Sequence, residues 1–149
     1  LAMSSAASDV YKRQILIVCT GNSCRSIMAE AMINQLAAGR LSAFSAGSAP
    51  TGVVHPDAIR CLQRHGYDVQ LPRSKSWDEF RGTAFDYLVT VCDGAAGEVC
   101  PVICTETKRL HWSIPDPAQA QGSAQELDCV FDGALRLLEG HIESFLRVS

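Results

Sequence analysis

The chain has no long run of Lys or Arg, and its 13 basic residues are outnumbered by 16 acidic ones, for a formal net charge of -3. A nucleic-acid partner is disfavoured, because binding a phosphate backbone needs a basic face. No apolar stretch approaches the length of a bilayer-spanning helix, so no membrane partner is expected. No two cysteines form a two-residue knuckle and no two histidines sit at helix-face spacing. That disfavours a zinc module built from Cys92, Cys100 and Cys104, with His111 as fourth ligand, and neither a metal nor a cofactor is expected. The positive-then-apolar order of an export signal is missing from Leu1 to Gln14. This small, polar segment is expected to be a disordered extension or artefact, with 15–149 forming a single domain.

The 149 residues, 47% of them hydrophobic, suit one core. Seven cysteines are many for this length. Their odd number and the lack of an export pattern point to a reducing, cytoplasmic setting, where clustered thiols serve redox chemistry or metal more often than bridges. Ile15-Leu16-Ile17-Val18 is a short apolar, β-branched run, as in a buried parallel strand. Leu41 to Ser45, Tyr87 to Val91 and Arg109 to Trp112 are further strands. Helices are expected from Ser26 to about Ala38, ended by Gly39, and from Pro56 to His65. Ser76 reads as an N-cap. A long final helix from Ser123 to Val148 turns Leu127, Val130, Phe131, Ala134, Leu135, Leu138, Ile142 and Phe145 to one face. Cys61 and Cys129 fall on apolar helix faces and are expected in the core. Alternating strands and helices predict an α/β fold with a mostly parallel, four-stranded sheet and a ligand beyond the carboxyl ends of its strands. Cys19, Cys92 and Asp116 all follow such ends.

The chemistry concentrates in Cys19-Thr20-Gly21-Asn22-Ser23-Cys24-Arg25-Ser26. A loop of this length between a strand and a helix start can turn successive N–H groups inward as an anion nest. Gly21 gives the backbone freedom, and Arg25 adds a planar fork matched to oxyanions. The same field favours a thiolate at Cys19, so nucleophile and anion receptor are one object. The Ser26 hydroxyl is positioned in sequence to hold that thiolate, and Cys24 is expected to point into the helix packing. A buried cysteine ending a strand is the plain alternative for Cys19.

Val18-Cys-Thr-Gly-Asn-Ser-Cys-Arg-Ser-Ile-Met-Ala-Glu30 resembles the phosphate loop of low-molecular-weight protein tyrosine phosphatases, and still more that of the arsenate reductases built on the same fold. Ser45-Ala-Gly-Ser48, Ser74-Lys-Ser-Trp77, His111-Trp112 and Asp116-Pro-Ala118 resemble the reductases in the same order. The resemblance implies the three-layer fold of that family, and nothing in the sequence demands more than a monomer. It implies Cys19 as nucleophile, Arg25 as oxyanion clamp and Asp116 as acid, with residues 20 to 26 binding arsenate, and phosphate or sulfate fitting the same nest. Cys92 and Cys100 match the relay thiols of the reductases, Cys104 being the other candidate for the resolving position. Thioredoxin, or glutathione with glutaredoxin, would then be the reductant. A tyrosine phosphatase is the alternative, but it usually carries aromatic residues after Asp-Pro, where this chain has Ala118-Gln119-Ala120. In this family a cation sometimes braces the loop at positions matching Asn22, Glu30 and Ser45. These read equally well as a loop-fixing asparagine and a helix-surface glutamate, and no metal is assigned.

Overall fold

The computed structural model describes residues 13–69, 72–92 and 107–148. Strands β1 (Arg13–Cys19), β2 (Leu41–Gly47), β3 (Tyr87–Thr90) and β4 (Lys108–His111) form one sheet in the order β2-β1-β3-β4. All three strand pairings are parallel, so the sheet is parallel throughout. Among the described residues three α-helices flank it: α1 (Arg25–Leu36), α2 (Pro56–Arg64) and α3 (Ala124–Val148). Among the described residues, no helix is long and apolar enough to cross a membrane.

β1 is a central strand because its apolar run has no polar face. Ile15, Leu16 and Ile17 are fully buried, each contributing about 1.5–3 kcal/mol by burial. The strand starts two residues earlier than the apolar run predicts. Arg13 and Gln14 pair with Leu41 and Ser42, so they belong to the sheet and not to an extension. Their polarity hid them. Arg13 Nη1 donates to the Tyr87 hydroxyl, and Gln14 N donates to Asp86 Oδ2. β4 is an edge strand whose Lys108 and Arg109 are exposed, as suits an edge that must not pair further.

Helix α3 opens with a capping box: Ser123 Oγ accepts from Glu126 N at 3.2 Å, and Glu126 Oε1 accepts from Ser123 N at 3.4 Å. From Phe131 to Phe145 its predicted face is buried. Its first two turns differ from expectation. Val130 is exposed, Leu127 only half-buried, and Cys129 is on the surface instead of in the core. Cys61 of α2 is fully buried, as predicted. Leu36, at the end of α1, is exposed, since the helix stops there and the chain turns through Gly39 at φ +85°.

The carboxyl ends of β1, β2 and β3 open on one side, and Gly47, the last residue of β2, fixes how closely they approach. A Cβ there would stand 2.5 Å from the Thr20 carbonyl oxygen and 3.0 Å from Asn22 Cβ. Gly47→Ala is therefore expected to cost about 1–3 kcal/mol, read as a lowered urea midpoint with unchanged slope, because the obstacle is backbone and cannot swing away.

Candidate active site

Cys19 is the last residue of β1, and the chain then curls over its sulfur before α1 begins at Arg25. The curl turns at Asn22, which holds φ +47°, a left-handed conformation that asparagine tolerates better than most residues. Asn22 is fully buried, and every polar group on it that bears on the loop is engaged. Its backbone N–H donates to Cys19 Sγ at 3.1 Å. Its Oδ1 accepts from Lys75 N at 2.8 Å, which fixes the amide orientation, so Nδ2 must be the group donating to Ser26 Oγ at 2.8 Å. With a lone pair of that hydroxyl occupied, its proton is free to point at Cys19 Sγ, 3.0 Å away. The sulfur thus receives one backbone and one hydroxyl donor, which is the environment of an anion.

Neighbouring segments hold the outer rim. Ala49 N donates to the Thr20 carbonyl at 2.9 Å, Thr51 N to Gly21 O at 3.0 Å, and His55 N to Ser23 O at 3.0 Å. Ser74 Oγ donates to Gly21 O at 3.2 Å. The Thr20, Gly21 and Ser23 carbonyls are thereby engaged by neighbouring segments and not by the loop itself. Among the described residues α1 has no side-chain cap at Cys24, whereas His55, Ser76, Asp116 and Ser123 each cap the helix or 3-10 turn that follows. The first-turn amides of α1 are accordingly available to an anion. Cys24 is buried as expected. Burial, with Asp116 nearby, pushes its thiol up to about 12, so it stays protonated at neutral pH.

Arg25 Nη1 donates to the Ile114 carbonyl at 2.9 Å, and Nη2 lies 3.5 Å from Asp116 Oδ2. Asp116 also caps the 3-10 turn Pro117–Gln119 through Ala118 N at 3.0 Å. The carboxylate is therefore set beside the guanidinium by its own local turn. Cys92, two residues beyond β3, reaches the same loop: Thr20 N donates to Cys92 Sγ at 3.2 Å, and Thr20 Oγ1 is 3.4 Å from it. The structure thus brings together Cys19, Arg25, Asp116, Cys92 and residues 20 to 26. Cys100 and Cys104 lie outside the described residues.

With this geometry in view, the chain matches the low molecular weight phosphotyrosine protein phosphatase family over residues 14–148. It belongs to that family. An arsenate reductase of Halalkalibacterium halodurans is 37% identical over 120 residues, 80% of this chain and 85% of that protein. Among solved family structures, an arsenate reductase in its phosphate-binding state superposes with a TM-score of 0.75 at 27% identity, covering 91% of this chain and 97% of the other. A thioredoxin-dependent arsenate reductase of Corynebacterium glutamicum gives a TM-score of 0.63 at 26% identity, covering 95% of this chain and 67% of the other.

The residue that reading the sequence missed is Lys75, quoted only within a motif. Its backbone N–H holds Asn22, and its side chain is buried behind the loop, with Nζ 2.9 Å from the Arg73 carbonyl and 3.4 Å from Ser45 Oγ. Ser45 Oγ in turn donates to Glu30 Oε1 at 2.9 Å. Two of the positions matched to a bracing cation are therefore linked to a lysine ammonium. Burial lowers the pKa of Lys75 and raises that of Glu30, while each charge partly offsets the other's shift. Lys75→Met removes the main charge that holds the Glu30 carboxylate ionised. A carboxyl whose folded pKa is raised is no handicap below its unfolded value of 4.5, and weakens the fold progressively as the pH climbs from there to the folded pKa, above which the cost stays constant. The variant should match wild type near pH 4.5 and fall behind toward pH 8 by about 1–3 kcal/mol, read from urea midpoints across that range.

Proposed function

We propose that this family member reduces arsenate to arsenite, with Cys19 as nucleophile and Cys92 as the first relay thiol. The observation that carries the reading is the Thr20–Cys92 contact, which sets a second sulfur against the loop that cradles the first. A phosphatase has no use for that thiol. The arsenate reductase relatives and the missing aromatic residues after Asp116-Pro117 support the same choice.

Arsenate enters the nest, its oxygens meeting the inward N–H groups and the Arg25 fork. The Cys19 thiolate, held by Ser26 and Asn22 N, attacks arsenic(V), and an arsenate oxygen leaves as water with a proton from Asp116. The Cys92 thiolate next attacks Cys19 Sγ. The S–As bond breaks with its electron pair passing to arsenic, releasing arsenite and leaving a Cys19–Cys92 disulfide. Cys100 then attacks Cys92, which frees the Cys19 thiolate and leaves a Cys92–Cys100 disulfide for an external dithiol to reduce. Arginine and the helix start supply fixed charge where oxyanion charge is greatest, so little reorganisation is needed as each step proceeds.

The test supplies arsenate with thioredoxin and its reductase, or glutathione with glutaredoxin, as the only electron source, beside an aryl phosphate assay. Catalytic arsenite release with one of the two systems is expected. Brisk aryl phosphate turnover with no arsenite from either would overturn the reading in favour of a phosphatase.

A further inference from the structure

Helices α2 and α3 meet at a second cluster of chemically active side chains that the chemistry above does not use. Cys61 and His65 are four residues apart and so share one helix face, His65 being the C-cap residue just past α2. Asp132, with Asp128 one turn before it, faces them from α3. Cys61 Sγ donates to Asp132 Oδ1 at 3.4 Å, and His65 Nε2 is 2.9 Å from the same oxygen. One sulfur, one imidazole nitrogen and one carboxylate oxygen all lie within 4.8 Å of one another. We propose that Cys61, His65 and Asp132 form a binding site for a tetrahedral divalent ion of the zinc class, separate from the Cys19 loop.

The donor set decides the class of ion. Thiolate with imidazole suits zinc and disfavours magnesium or calcium, which take oxygen ligands. Ligand atoms around a tetrahedral ion with bonds of about 2.0–2.3 Å stand roughly 3.3–3.8 Å apart. Two of the three edges, at 3.4 Å and 2.9 Å, are close to that spacing, and the third, from the Cys61 sulfur to the imidazole nitrogen, is no longer than 4.8 Å. Cys61 is buried, while the His65 and Asp132 side chains keep 30% and 25% of their exposure, which leaves a route in and room for a fourth ligand. That ligand is water.

Without the ion, the carboxylate is satisfied by hydrogen donors. Arg64 Nη2 lies 2.6 Å from Asp132 Oδ1, and its Nη1 3.3 Å from Asp128 Oδ1. Burial, reinforced by Asp132, pushes the Cys61 thiol up to about 12, so it carries its proton. Binding exchanges these donors for the ion. The thiol proton passes to solvent as the metal–sulfur bond forms, with no change in oxidation state, and the Arg64 side chain, 35% exposed, turns out to water.

The test takes the full chain, stripped with a chelator and kept reduced by a phosphine. It is titrated with zinc against a chromophoric competitor, and separately with cobalt followed by absorption. One ion per chain is expected, with a thiolate-to-cobalt charge-transfer band. His65→Ala should lose that ion, and so should His65→Gln, whose amide still donates to Asp132 and guards against a mere packing effect. Cys92→Ser should retain it. The proposal is overturned if the chain binds no ion, if binding survives both His65 changes, or if Cys92→Ser alone abolishes it, which would assign the metal to the relay thiols.

Discussion

Cys19→Ser is expected to lower arsenite formation by at least about 10⁴-fold with the fold intact. Serine fits the space, and its hydroxyl can still meet Ser26 and the Asn22 N–H, so the curl from Thr20 to Arg25 should close as before. What vanishes is the polarisable anion that forms the bond to arsenic, and with it the sulfur that Cys92 must attack. Arg25→Lys makes a complementary case. It keeps the charge but loses the fork that spans the Ile114 carbonyl and Asp116, so a loss of roughly 10²–10³-fold is expected. Steady-state arsenite assays, with circular dichroism as the fold control, read both. An active Cys19→Ser protein would remove the nucleophile from the mechanism altogether.

Cys92→Ser separates the relay from simple hydrolysis. It should end arsenite release yet leave slow hydrolysis of an aryl phosphate, which needs only Cys19, Arg25 and Asp116. Its serine hydroxyl can still accept from Thr20 N, so the loop loses little order. Cys100→Ser is expected to behave otherwise: about one arsenite per enzyme, then a stall as a Cys19–Cys92 disulfide found by non-reducing peptide mapping. If Cys104→Ser stalls while Cys100→Ser cycles, Cys104 is the resolving thiol. Arsenite release untouched by all three changes would end the relay reading.

The loop was legible in the sequence because its requirements are local. An apolar strand, a glycine, an arginine at the helix start and a following serine all lie within eight positions, from Cys19 to Ser26. Lys75 was not legible as a support because it acts across 53 positions on Asn22, a separation at which no periodicity or turn rule speaks. The capless start of α1 was hidden for the opposite reason: it is defined by what the Cys24 side chain does not do. At α3 the apolar pattern gave the correct face from Phe131 onward and the wrong burial before it. Hydrophobic spacing tells which side of a helix is apolar, not how far the rest of the protein extends beneath it. Arg13 and Gln14 were misjudged because polar residues can end a buried strand when backbone pairing, rather than side-chain burial, holds them.

Among the described residues, the Asn22 N–H ends on the Cys19 sulfur and the Thr20 N–H on that of Cys92. An amide proton is sensitive to the charge and polarisability of its acceptor, so these two nuclei carry a record of the oxidation state of each thiol. In a heteronuclear NMR spectrum their peaks should move furthest, and together, when the reduced protein becomes the Cys19–Cys92 disulfide. The Ala49 and Thr51 amides, which donate to loop carbonyls and not to sulfur, should move less. Electron flow through the enzyme could then be followed peak by peak, with no label and no substitution at either cysteine.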